Sequence, residues 1–230
     1  MSKRKNIITF CLIIFIVPAL IILSYIIFKE KFYAAASVII TLVSCLPLFY
    51  AFNKKTSNSK ELTVIAVMIA ISVTGRFVFA FLPGFKPVTA ITVIAAVYLG
   101  KEAGFAVGSL SAVVSNFYFG QGPWTPFQMF AWGVLGFIAG LFYKRLQKSK
   151  IILCVFGVLA GALYSLTMDI FTVLFADGAF NLSRYLALVL AALPTTAEYA
   201  VSNVIFLLLL AKPLGEKLDR IKTKYGLFAV

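Results

Sequence analysis

Three ionisable side chains stand inside long apolar runs of this sequence: Arg76, Asp169 and Glu198. Each costs free energy in lipid, so each is expected to face a partner or a wet cavity. A second departure from membrane filler is the stretch 115–129, SNFYFGQGPWTPFQM. It sets Asn116, Gln121, Thr125 and Gln128 among Phe117, Tyr118, Phe119, Trp124 and Phe127. Gly120, Gly122, Pro123 and Pro126 interrupt the helix there, because glycine loosens the backbone and proline removes a donor. A broken, amide-rich and aromatic segment between two spans has the chemistry of a binding lip. Aromatic faces stack on a planar solute, and a few amides fix its orientation. The same residues also suit an interfacial turn in an aromatic belt. On the binding reading the site comprises Arg76, Asn116, Gln121, Trp124, Gln128, Asp169 and Glu198. Trp124 stacks on the ligand, the amides orient it, and the charged trio binds polar groups or organises the cavity.

Other chemistries are excluded by what the chain lacks. It has no histidine, which removes histidine proton relays, Ser-His triads and HExxH metal sites together. Cys11, Cys45 and Cys154 all lie in apolar runs without metal-ligand spacing and suggest no disulfide framework. No GxxxxGK[ST] occurs, so any use of ATP belongs to another chain. Nothing pairs a nucleophile with a base, so no catalytic residue, metal site or cofactor is expected, and the chain is not read as an enzyme.

The elements that must position these groups are membrane helices. Of 230 residues 62% are hydrophobic and 13% charged, which excludes a soluble domain and implies an all-α integral membrane protein. The net charge of +13 sits in short loops, so it reads as a topology signal and as contacts to anionic lipid, with no nucleic-acid partner. Apolar spans are expected at 7–28, 32–52, 62–82, 88–99, 103–119, 127–143, 151–175 and 185–211. The first is longer than the apolar part of a signal peptide, and no small-residue cleavage site follows, so it reads as a retained helix. The polar segment 53–61, NKKTSNSKE, divides a two-helix extension and linker (1–60) from a six-helix core with a basic tail (61–230).

Charge decides whether the short run 88–99 crosses. If it does, the loop holding Lys144, Arg145, Lys148 and Lys150 lies on the same side as the basic tail. Eight crossings with both ends inside place sixteen Lys and Arg inside and four outside, as the positive-inside rule demands. The segments PGFKP, FGQGPWTP and ADGAFNLSR then face outward. At ~1.5 Å per residue, Arg76 lies about 21 Å from the inner end of its helix and Asp169 about 27 Å from its own, both towards the outside. Glu198 falls about 20 Å in from the outer end of its helix, near the midplane. One positive and two negative charges predict a net negative site, which favours a cationic or donor-rich solute. The alternative is an internal arginine–carboxylate bridge that only fixes helix packing. Pro194 should loosen the helix beside Glu198, and Asn203 is either a ligand contact or glue between helices.

Small residues recur at four-residue spacing: Ala66, Ala70 and Thr74; Gly100, Gly104 and Gly108; Gly136 and Gly140; Gly157 and Gly161. The glycine sets predict close helix packing.

The run 76–142, from RFVFAFLPGFKP through SNFYFGQGPWTPFQM to FIAGLF, resembles the substrate-binding S component of energy-coupling factor (ECF) vitamin transporters. The resemblance covers roughly residues 62–211. Ala66 and Ala70 match the family's AxxxA pattern, which implies docking on the transmembrane coupling subunit. The resemblance further implies a complex of that subunit with two cytoplasmic ATPases in a bacterial plasma membrane. In it the S component binds a vitamin or vitamin precursor near the outer face and topples to deliver it inward. The two leading helices depart from the family's usual six. A metal cargo is excluded, because the metal-uptake members use an N-terminal histidine motif. GQGPWTPFQMFAWG is similar to S components linked to cobalamin or its α-ribazole building block, while riboflavin-like or other planar ligands suit the aromatic residues equally. Two other readings compete: a stand-alone secondary transporter of a small polar or cationic solute using Asp169 and Glu198, and a membrane assembly protein with no solute.

Overall fold

Residues 88–99 are apolar on every side, and such a helix has no face to offer water. The computed structural model, which describes residues 59–178 and 180–228, accordingly puts them at the centre. This helix, α2 (Val88–Leu99), buries every residue except Tyr98. Twelve residues at ~1.5 Å each span about 18 Å, well short of a hydrocarbon slab of roughly 30 Å. Protein therefore surrounds it: α1 (Ser59–Val78), α3 (Lys101–Phe119), α4 (Thr125–Leu141) and the long α8 (Leu193–Tyr225) all pack on it. The short α5 (Tyr143–Lys148), the 28-residue α6 (Lys150–Asp177) and α7 (Leu182–Ala191) complete the described helices. α7 buries none of its residues.

Small residues set the tightest contact, between α3 and α4. A Cβ added to Gly104 would lie 2.9 Å from the carbonyl oxygen of Gly136, and one on Gly136 would overlap the Gly104 carbonyl. Gly108 likewise lies against the Trp132 carbonyl, and on the other side of the bundle Gly161 meets the backbone of Ala200. In lipid, where burial of apolar surface adds little between helices, such backbone proximity supplies the packing energy. Gly100 has another task. It turns the chain from α2 into α3 at φ 106°, ψ 165°, a conformation almost closed to residues with a Cβ. Gly100→Ala meets no steric neighbour closer than 4.0 Å, so its cost is backbone strain alone. A loss of about 1–3 kcal/mol, read as a lowered melting temperature in detergent, is expected; an unchanged transition would show that the turn relaxes.

The bundle has two chemically different ends. At one, Lys222 Nζ donates to the Tyr98 carbonyl at 2.6 Å, capping the carbonyl end of α2 where a cation is favoured. The Phe228 amide donates to Glu61 at 2.6 Å, and Gln147 donates to the Val97 carbonyl at 3.4 Å. The start of α1, α5 and the end of α8 thus gather there with their lysines and arginines. At the other end lie Arg76, the loop 79–87 and the α3–α4 turn.

Among the described residues three helices, α1, α6 and α8, are long and apolar enough to cross a membrane, and α2, α4 and α7 are shorter apolar helices. The chain is an all-helical membrane protein. The two leading spans and nearly all of the 1–60 extension lie outside the described residues. One expected span is corrected: 185–211 is not continuous. It breaks at Ala192, with Pro194 in the first turn of α8, where its missing N–H leaves no bond unmade. α8 then carries the basic tail onward as helix to Tyr225.

Candidate functional site

Arg76, in the last turn of α1, is 8% exposed and makes no ion pair with Asp169 or Glu198. Its Nη1 donates to the Ser115 hydroxyl and, at 2.8 Å, to Asn116 Oδ1. The alternative of an arginine–carboxylate bridge is therefore not realised, and Arg76 bonds to neutral groups at the end of α3. Asn116, 1% exposed, passes the connection on: its Nδ2 donates to Thr125 Oγ1 at 2.9 Å and to Gln128 Oε1 at 2.7 Å. Thr125 donates to Gln121 Oε1 at 3.0 Å, and Gln121 Nε2 donates to the Val113 carbonyl at 2.9 Å. Gln128 Nε2 reaches the Tyr164 hydroxyl at 3.3 Å. These bonds hold α3 against α4 across the Gly120–Pro126 break, which ends α3 at Phe119 and starts α4 at Thr125 with Pro126 in its first turn.

Beside this network opens a small hollow of about 100 Å³. Arg76, Gln128, Lys86 and Asn203 supply its polar lining, with Thr89. Trp132, Tyr164 and Tyr199 form its aromatic wall: Trp132 and Tyr164 stack at 4.8 Å and 14°, and Tyr199 meets Tyr164 edge-on at 5.3 Å. Pro83 and Gly84, from the loop 79–87, close one side. Burial, and secondarily the nearby Arg76 charge, hold the Lys86 ammonium below its ordinary pKa. The Arg76 guanidinium lies over Phe119 at 4.6 Å and near Trp132 at 5.4 Å, so ring faces share the task of solvating it.

The seven expected site residues divide. Arg76 and Gln128 line the hollow, and Asn116 and Gln121 stand behind it in the hydrogen-bond network. Trp124 lies elsewhere, 37% exposed with its indole packed over Gly122. Glu198 is exposed and packs against Gly84; Asp169 is half-buried on α6, its Oδ2 without a partner. Neither carboxylate lines the hollow. The expected net negative charge is thus not found: two cations and no carboxylate line it among the described residues. Counting charges within spans could not reveal this, because it ignores which face of the helix each occupies. Lys86, Trp132, Tyr164 and Tyr199 were missed. Lys86 was visible in PGFKP as a loop cation, whereas single aromatics in apolar spans read the same whether they face a core or a cavity. Asn203 lines the hollow, and its Nδ2 donates to the Gly157 carbonyl at 3.0 Å, a bond between helices of the kind expected of it as glue.

A membrane helix bundle with an open, donor-rich and aromatic hollow at one end, sealed by packed helices at the other, is a solute-binding membrane subunit in form. The family model described as "ECF-type riboflavin transporter, S component" matches residues 56–220, and the chain belongs to that family. It is an S component of an energy-coupling factor transporter, a vitamin-uptake binding protein and not an enzyme. No curated protein and no solved structure matches it. Membership displaces the secondary-transporter and assembly-protein readings. It also corrects the cobalamin suggestion, since the matched family is named for riboflavin.

Proposed function

We propose that this chain captures riboflavin in the hollow lined by Arg76, Lys86, Gln128, Trp132, Tyr164 and Tyr199. The observation that carries the reading is an aromatic wall next to a row of hydrogen-bond donors with no carboxylate among them. The flavin ring system is planar and its dioxopyrimidine edge is rich in acceptors, so stacking and donation can act together. Titrating purified protein with riboflavin, without ATP, should quench flavin fluorescence with nanomolar-range affinity, while cobalamin and α-ribazole leave it unchanged. Absence of quenching would remove riboflavin as the cargo.

The two tryptophans give a sharper comparison. Trp132→Ala should weaken flavin binding by about 1–3 kcal/mol, the usual worth of an aromatic platform. Trp124→Ala should change it by less, because that indole lies over Gly122. The reverse order of losses would restore Trp124 as the stacking residue.

The hollow faces outward in this proposal, with eight crossings and both termini in the cytoplasm of a bacterial cell. The gathering of Lys144, Arg145, Lys148 and the α8 tail at the opposite end supports it. Ala66 and Ala70 are exposed on α1, as a face for the transmembrane coupling subunit must be. That subunit and its two ATPases would supply the energy for toppling and inward release. Residues 61–230 form the binding core in this arrangement.

A further inference from the structure

The hydrogen bonds around Asn116 have only one consistent direction. A guanidinium donates and cannot accept, so Asn116 must turn Oδ1 to Arg76. Its Nδ2 then faces the other way, towards Thr125 and Gln128. Gln128 must answer with Oε1, which leaves its Nε2 on the side of Tyr164 and the hollow. The second branch checks the assignment independently. It runs from Asn116 through Thr125 and Gln121 to the Val113 carbonyl, which can only accept. A path that starts at an obligate donor and ends at an obligate acceptor fixes every amide along it.

We infer that Asn116 is a positioning residue that sets the hydrogen-bonding polarity of Gln128 at the hollow: it makes that side chain offer its Nε2 and withhold its Oε1. The Tyr164 hydroxyl, which accepts from Gln128, keeps its proton to give. The Lys86 ammonium, also in the lining, donates. The ligand class that answers such a lining is a ring edge of consecutive carbonyl and imine acceptors. A ligand presenting amino groups there would leave buried donors facing donors. Asn116 itself is buried and does not line the hollow. The inference rests on the hollow being the capture site, and it adds how that site selects.

Asn116→Asp tests it with almost no change of shape. A carboxylate next to Arg76 has no N–H to give, so Gln128 must swing Nε2 towards it and show Oε1 to the hollow. Riboflavin affinity should then fall by about 10- to 100-fold, the equivalent of one buried mismatch. Gln128→Met alone should cost less. In the Asn116→Asp background Gln128→Met should recover affinity, because the misdirected acceptor is gone. Two losses that simply add would overturn the inference. A second readout needs no ligand. In the ¹⁵N-labelled protein the Gln128 side-chain N–H not given to Tyr164 should exchange with water faster than in Asn116→Asp, where the amide turns to the carboxylate. Equal exchange in both proteins would overturn the polarity assignment. If the parent protein binds no riboflavin, the flavin reading fails by that result alone, and the exchange measurement still decides the polarity.

Discussion

Cells carrying Ala70→Trp import no vitamin above background, while the purified variant binds it as tightly as the parent. This is the expected result if capture and energy coupling use opposite faces of α1. The buried face of that helix carries Ile65, Met68, Ser72, Val73 and Arg76, ending at the hollow. The row Ala66, Ala70, Thr74 is exposed and turned away from them. Because position 70 is exposed and lies off the buried face of α1, a tryptophan there should leave the described fold and the hollow intact. Against a partner helix the same indole separates two backbones that small residues let approach, and packing in lipid depends on that approach. Ala66→Trp should behave alike. Normal uptake by both variants would move the docking surface off this face, and loss of binding together with uptake would mean that the substitution damaged the bundle.

The second large effect belongs to Arg76→Met, which should lower vitamin affinity by about a hundredfold, or roughly 2.7 kcal/mol, while changing the melting temperature little. Two opposing costs produce the small thermal effect. Removing the guanidinium leaves Asn116 Oδ1 buried without a donor, worth about 1–3 kcal/mol of destabilisation. Removing it also relieves a buried cation that has neutral partners only, and an arginine within a membrane helix costs about 2.5–3.5 kcal/mol on insertion scales. These nearly cancel. Binding has no such offset, since the variant loses a donor in the lining and the group that orders Asn116 and Gln128. Thermal unfolding and flavin titration of the same preparation separate the outcomes. A large drop in stability with unchanged affinity would assign Arg76 to packing.

The parts of this structure that were readable beforehand are those written in backbone-restricting or misplaced residues. Gly120, Gly122, Pro123 and Pro126 announced the α3–α4 break, because few conformations continue a helix through them. Arg76, Asn116 and Gln128 stood out because polar groups in apolar runs demand partners, and the structure brings the three together. The partners themselves were not readable. Whether Arg76 meets a carboxylate or an amide depends on helix rotation, which composition does not encode, and Asp169 and Glu198 proved to face elsewhere. The aromatic wall was hidden for a related reason: Trp132 and Tyr164 come from helices far apart in sequence, and their stacking is a product of the α4–α6 contact. The break at Ala192 was half visible. Pro194 signalled a disturbance, but only the structure shows that it begins a new helix instead of bending an old one.

The chain of amides that begins at Arg76 contains arginine, serine, asparagine, threonine and glutamine, ending on tyrosine, in a protein with no histidine. None of these side chains ordinarily gains or loses a proton in mildly acidic or mildly alkaline water. A cell that acidifies its surroundings as it grows would therefore find the pattern of this network unaltered.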